Sequence, residues 1–156
     1  MNWMRLLASV AACQLAGILG AFFTRAAIPS WYGLLKKPSF TPPSWLFGPA
    51  WISLYLLMAV AAYLVWQKGL TTTGVRTALG VFIFQLLLNA LWSPVFFGLR
   101  SPLAGMIVIV LLWLAIVLTI ALFFKISRPA ALLLLPYVLW VSYASALNIS
   151  IYFLNR

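Results

Sequence analysis

No aspartate, glutamate or histidine occurs anywhere in this sequence, and Cys13 is its one cysteine. Each absence removes chemistry. Without a carboxylate or an imidazole there is no ordinary general base, no acid pair and no hard-metal site, so most hydrolase, transferase and metalloenzyme mechanisms lack residues to run on. No metal and no resident cofactor is expected, and a binding or transport role gains by default. A lone cysteine excludes an internal disulfide. Its context, VAAC behind Arg5, faintly resembles a lipoprotein signal. The apolar run continues to Phe23, however, and cleavage would discard half a spanning helix, which favours an uncleaved first helix.

Charge is scarce and of one sign: 6% of the residues are charged, all ten of them Lys or Arg, against 66% hydrophobic residues and a mean hydropathy of +1.13. Soluble domains carry roughly 25% charged residues, so this composition belongs to a lipid-embedded chain. The ten cations have no acidic partner and must face water, lipid phosphates, helix C-terminal carbonyls or an anionic ligand. They are scattered singly between apolar stretches and form no continuous basic face for nucleic acid.

What remains is hydrocarbon in membrane-length pieces. Crossing a ~30 Å apolar layer takes ~20 mostly apolar residues, and five stretches qualify: 6–24, 44–67, 77–98, 102–124 and 130–154. The expected fold is an all-α, five-transmembrane-helix bundle, residues 1–156 forming one integral, multi-pass domain of a prokaryotic or mitochondrial-type membrane. Pro43, Pro102 and Pro129 stand at helix starts, where a missing N–H does no harm, and Pro94 and Pro136 should kink their spans. Five spans put the termini on opposite sides. Arg5, Lys68, Arg76, Lys125 and Arg128 then face one side and Arg25, Lys36, Lys37, Arg100 and Arg156 the other, so the positive-inside rule returns a tie.

One connection stands out. Residues 27–43 form a long, basic, aromatic loop, most of whose second half is the stretch KKPSFTPP. Three prolines in the six positions 38–43 fix φ, and Trp31, Tyr32 and Phe40 supply apolar surface, so it is expected to be a lid. Beneath it polar and aromatic residues recur on single helix faces: Trp51, Tyr55 and Met58; Gln85, Asn89, Trp92 and Phe96; Trp140, Ala144 and Asn148. These fall at one depth, with small Ala144 leaving room. Taken singly, each reads first as packing, since Asn and Gln in spans often only join helices at ~0.6–2 kcal/mol and Trp often marks the interface, as at Trp3, Trp45 and Trp66. Taken together, they point to a ligand chamber between spans two, three and five. Trp113 reads as packing or lipid-facing. Ala12, Ala16 and Gly20, at four-residue spacing, could seat a partner helix in a structural subunit or pack inside the bundle.

The stretches WYGLLKKPSFTPP, LNALWSPVFFG and PYVLWVSYASALN, with Trp51 in span two, resemble the translocator protein family, also called tryptophan-rich sensory proteins or peripheral-type benzodiazepine receptors. The resemblance covers nearly the whole chain in order. It implies a five-helix bundle, often a homodimer, whose first loop closes a pocket for porphyrins (tetrapyrroles), synthetic benzodiazepine-type ligands and, in some members, a sterol. By motif, Tyr32 would belong to the lid, Trp51 and Tyr55 to one wall, Asn89 and Trp92 to another, and Trp140, Ala144 and Asn148 to the third. The function implied is a membrane receptor or carrier for flat hydrophobic ligands. The alternative is light-dependent porphyrin degradation, which in some members involves tryptophans like Trp51 and Trp140. Sterol recognition is weakly supported, because Ile149 stands where animal members place a tyrosine. The loop also lacks the acidic or histidine residues of relatives, which makes Arg25, Lys36 and Lys37 candidates for an anionic head group, with lipid phosphate as the competing partner.

Overall fold

Helices in lipid must satisfy every backbone polar group internally, and the computed structural model, which describes residues 2–156, is built of helices with no strand among those residues. Helix α1 (Trp3–Ala27) starts at Asn2, whose side-chain oxygen accepts the Arg5 N–H at 3.2 Å. Helix α2 (Phe47–Trp66) follows a single 3₁₀ turn, and α3 (Val75–Ser93) leads by a tight turn to α4 (Pro102–Ile126). In that turn Arg100 takes a positive φ of 53°, and the Ser101 hydroxyl caps α4 by accepting from Ala104 N–H at 3.2 Å. The fifth span is split into α5 (Arg128–Leu133) and α6 (Leu135–Leu154). Five segments are long and apolar enough to cross a bilayer: Trp3–Tyr32, Ser44–Trp66, Val75–Gly98, Pro102–Ile126 and Arg128–Leu154. The protein is an integral, multi-pass membrane protein.

The largest departure from the sequence expectation concerns the first span and the loop after it. The span does not stop at Thr24. The Thr24 hydroxyl donates back to the Gly20 carbonyl at 2.9 Å, so this polar residue is carried inside the helix, and the chain continues as a π-helical turn, Ile28–Tyr32. Pro29 sits in that turn. A proline ring clashes with the carbonyl one turn back, and widening to a π turn relieves the clash. Pro94 does the same to α3, whose continuation Pro94–Gly98 is also π-helical, closed by Leu99 N–H donating to the Pro94 carbonyl at 2.9 Å. The predicted bend at Pro94 is therefore a π turn, and that at Pro136 is the break at Leu134 between α5 and α6. The long connection shrinks to residues 35–43.

Around the bundle, α1 packs against α2 and α3, α3 against α4, and α4 against α6. Helix α2 closes the ring on α5 but scarcely touches α6. The bundle is thus tight at the α5 end and leaves space between α2 and α6 at the connector end. Two apolar cores result, a large one through the middle and a smaller one of Ala27, Tyr32, Phe96, Phe97, Leu147 and Ile151. Outward faces carry Leu, Ile and Phe, among them Phe22, Ile83 and Leu139, as acyl-chain contact requires. Of the small-residue stripe, Ala16 and Gly20 face into the bundle while Ala12 is exposed. Trp113 is held by packing and by its N–H, which donates to the Ser142 hydroxyl at 2.8 Å and joins α4 to α6.

Close approach makes Gly105 structural. A Cβ on Gly105 of α4 would lie 2.6 Å from Phe96 and 3.1 Å from the Asn148 side-chain oxygen, whereas one on Gly80 meets nothing within 4 Å. Gly105→Ala is expected to destabilise the protein by ~1–3 kcal/mol through overpacking, and Gly80→Ala to be neutral or to stabilise by up to ~1 kcal/mol. Thermal unfolding of both variants in detergent measures the contrast, and equal midpoints would contradict it.

Candidate functional site

A chamber of about 440 Å³ occupies the space between α2 and α6. At its floor Tyr55 and Asn89 begin a chain of polar side chains that runs on beneath the wall to Tyr137 and Gln85. The Tyr55 hydroxyl donates to Asn89 Oδ1, Asn89 Nδ2 donates to the Tyr137 hydroxyl at 2.7 Å, and that hydroxyl donates to Gln85 Oε1 at 2.9 Å. Three spans are joined at one level. Asn89 thereby uses both ends of its amide on protein partners. All four residues are buried, and in hydrocarbon the pairing of each offsets that cost, although Gln85 Nε2, at the end of the chain, has no partner among the described residues.

Above the floor the walls are aromatic. Trp51 stacks on Tyr55 with ring centres 5.4 Å apart and meets Trp140 edge-on at 6.5 Å. Phe47, one turn before Trp51, touches Trp140 at 6.0 Å, so side chains bridge the gap that the α2 and α6 backbones leave. On the opposite wall Trp92 stacks on Phe96 at 5.2 Å, and its N–H donates to Asn148 Oδ1 at 3.2 Å. Asn148 Nδ2 donates in turn to the Pro102 carbonyl at 2.9 Å. The Trp140 N–H is buried and has no partner among the described residues. At the top, Tyr32 on the Pro29 turn packs edge-on against Phe96 and Phe97 of the Pro94 turn, at 6.3 and 5.5 Å.

All eight predicted chamber residues, Tyr32, Trp51, Tyr55, Asn89, Trp92, Trp140, Ala144 and Asn148, line this one space. Of the other residues on those faces, Phe96 lines it too, while Met58 and Gln85 lie outside the wall. Of the three candidate cations, Arg25 lines the chamber and Lys36 and Lys37 do not. Lys37 lies over the Tyr32 ring at 4.8 Å. Around Lys36 the backbone is gripped by Asn155, which accepts the Lys36 N–H and donates to its carbonyl, both at 2.9 Å. Further along, the Phe40 carbonyl accepts from the Tyr143 hydroxyl at 2.6 Å. Residues 35–43 are thus strapped to α6, and none of them contributes to the chamber wall.

Sequence reasoning missed the wall made by α1. Gln14, Gly17, Ala21 and Thr24 fall at i, i+3, i+7 and i+10 and all line the chamber, together with Gly20. The Thr24 hydroxyl reaches Ser93 Oγ at 3.3 Å across this wall. A face of small and polar residues on an otherwise apolar span was the available signal. Tyr137 was missed as well, although it shares the helix face of Trp140, Ala144 and Asn148 at i, i+3, i+7 and i+11.

Comparison with known proteins agrees with this architecture. The model of the TspO/MBR family matches residues 9–154. The chain is 47% identical over 155 residues to "Tryptophan-rich protein TspO" of Archaeoglobus fulgidus, covering 99% of both chains. It is 44% identical over 146 residues to "Protein CrtK" of Rhodobacter capsulatus, covering 92% of this chain and 88% of that one. Similarity extends to "Translocator protein" of Homo sapiens, 35% identical over 148 residues, 94% of this chain and 87% of the other. A match along almost the full length, joined to a bundle of five spans, makes the protein a member of the TspO/MBR family.

Proposed function

We propose that the protein is a receptor or carrier for porphyrins and similar flat hydrophobic molecules, held in the chamber between α2, α3 and α6. The observation that carries this reading is the lining itself: three indoles, Trp51, Trp92 and Trp140, surround one space of ligand size, and among the described residues Arg25 is the one charged side chain that lines it. Pockets for small ligands span ~300–1,000 Å³, and an aromatic ring system moved from water into such a space gains ~25 cal/mol per Å² plus the stacking term. The names of relatives, a tryptophan-rich sensory protein and a translocator protein, fit a binding role better than a catalytic one. Asn89 and Asn148 serve the ligand indirectly, by fixing the floor and the Trp92 ring. The unpaired Trp140 N–H is the donor available to a ligand carbonyl or ring nitrogen.

Trp51 and Trp140 lie side by side, which favours light-dependent porphyrin degradation as a second reading, since an oxidisable indole would sit against a photoexcited ring. Loss of the porphyrin's main absorption band on illumination, and its persistence in the dark, separates degradation from binding alone.

Two outcomes test the binding reading. Trp51→Phe and Trp140→Phe should each weaken protoporphyrin binding, followed by fluorescence quenching, by about 1 kcal/mol or roughly fivefold, the scale of an aromatic contact. Unchanged titrations in both variants contradict it. Arg25→Gln should weaken protoporphyrin but leave its dimethyl ester unaffected, whereas Lys36→Glu with Lys37→Glu should change little. Equal losses for the acid and the ester remove the head-group role of Arg25.

A further inference from the structure

The exposed part of the chamber wall is confined to two helices. Ile18, Ala21 and Arg25 on α1, and Ser44, Gly48 and Ile52 around the start of α2, line the chamber and are themselves exposed. Lining residues from α3 and α6 are buried or half-buried. Lining residues of a closed wall stay buried, so exposed lining residues mark its open side, which is the cleft between α1 and α2. Its lower end is shut. Gly17 lets α1 come so close to α2 that a Cβ there would lie 2.5 Å from the Tyr55 ring. Nearer the connector the lips are small: Ala21 on one side and, on the other, Gly48, where a Cβ would meet nothing within 4 Å. Ile18 and Ile52, 65% and 57% exposed, flank the cleft with acyl-compatible surface.

The aqueous approach differs. Residues 35–43 cross the connector end and are fastened to α6 by Asn155 at Lys36 and by Tyr143 at Phe40. Beneath them Tyr32 is wedged against Phe96 and Phe97, closing the top of the chamber. The strapped side is the connector end of the bundle, and the open side lies between two helices of membrane-crossing length.

We propose that the chamber is loaded sideways from the bilayer, through the α1–α2 cleft, by a flat membrane-dissolved amphiphile whose anionic edge stays at Arg25 on the rim. Arg25 lies in the last turn of α1, where its stem can run along apolar surface and its guanidinium reach head-group level. The body of the ligand slides between Ala21 and Gly48 without passing through water. The identity of the ligand rests on the function proposed above; the route rests on which walls are open.

The test uses the full-length protein in liposomes, with Cys13→Ser and Ala144→Cys placing one thiol in the chamber. Labelling is timed with a membrane-dissolved pyrene maleimide. Gly48→Phe, or Ala21→Phe on the opposite lip, should slow labelling at least tenfold, while Tyr143→Phe and Asn155→Ala, which free the strap, should leave the rate within twofold. An unchanged rate in both lip variants, or a tenfold rise on freeing the strap, overturns the proposal. Stopped-flow mixing with protoporphyrin gives the second readout. Gly48→Phe should lower the association and dissociation rates together, and weaker binding at an unchanged association rate would mark Gly48 as a wall contact and overturn the route. Should protoporphyrin fail to bind while Gly48→Phe still blocks the thiol, the ligand reading falls and the lateral route stands.

Discussion

A polar side chain in hydrocarbon must find another polar side chain, and in a sequence without a single acid or imidazole it can find only amides, phenols, indoles, hydroxyls and backbone. The chain from Tyr55 through Asn89 and Tyr137 to Gln85 is the result. It runs in one direction, each group donating to the next, so the orientation of the Asn89 amide is set by its neighbours. Each such bond contributes modestly, on average ~0.6 kcal/mol in membrane proteins, yet the penalty for breaking the set is the burial of orphaned groups. That asymmetry holds α2, α3 and α6 in register at one depth. The chamber rests on this floor, because the same three helices supply its indoles from the next turns toward the connector.

The upper end is organised by proline. Pro29 and Pro94 lie at corresponding ends of their spans, and each converts the last helical turn into a π turn. A wider turn rotates the side chains that follow it. Trp31 and Tyr32 are thereby brought against Phe96, and Tyr32 also against Phe97, forming a second apolar core separate from the main one. The chamber lies between the two cores, lined from below by Tyr55 and from above by Tyr32.

Much of this was legible in the sequence because lipid simplifies the reading. Length and hydropathy mark the spans, and helical periodicity places Trp51, Asn89, Trp92, Trp140 and Asn148 on faces that must turn inward. Periodicity reports direction and depth but not pairing. The bond of Asn89 to Tyr137, and the strap bonds of Asn155 and Tyr143 to a loop more than a hundred residues earlier, depend on tertiary placement that spacing does not encode. The π turn at Pro29 was hidden for a different reason. Pro usually ends a helix, so a run of Ala, Ile, Pro and Ser after Arg25 reads as loop, and only the packing of Trp31 and Tyr32 on the Pro94 turn makes continued helix the better state. Gly17 and Ala21 were passed over because small residues in a first span fit helix packing as well as they fit a chamber wall.

Scarcity of charge also bears on how such a chamber selects. A ligand taken from water gains from burial in proportion to its apolar area, but one already dissolved in acyl chains gains almost nothing by exchanging lipid for leucine. For a lipid-borne ligand, discrimination falls on what lipid does not offer: flat indole faces held at fixed angles by Asn148 and the Tyr55 stack, an unpaired Trp140 N–H, and one guanidinium at the rim. Many apolar molecules in the membrane share the first property with no acceptor or anionic edge to match the other two. On the proposed reading the near absence of charge would sharpen the effect of Arg25, since no Asp or Glu side chain competes for it and lipid phosphate is its principal rival.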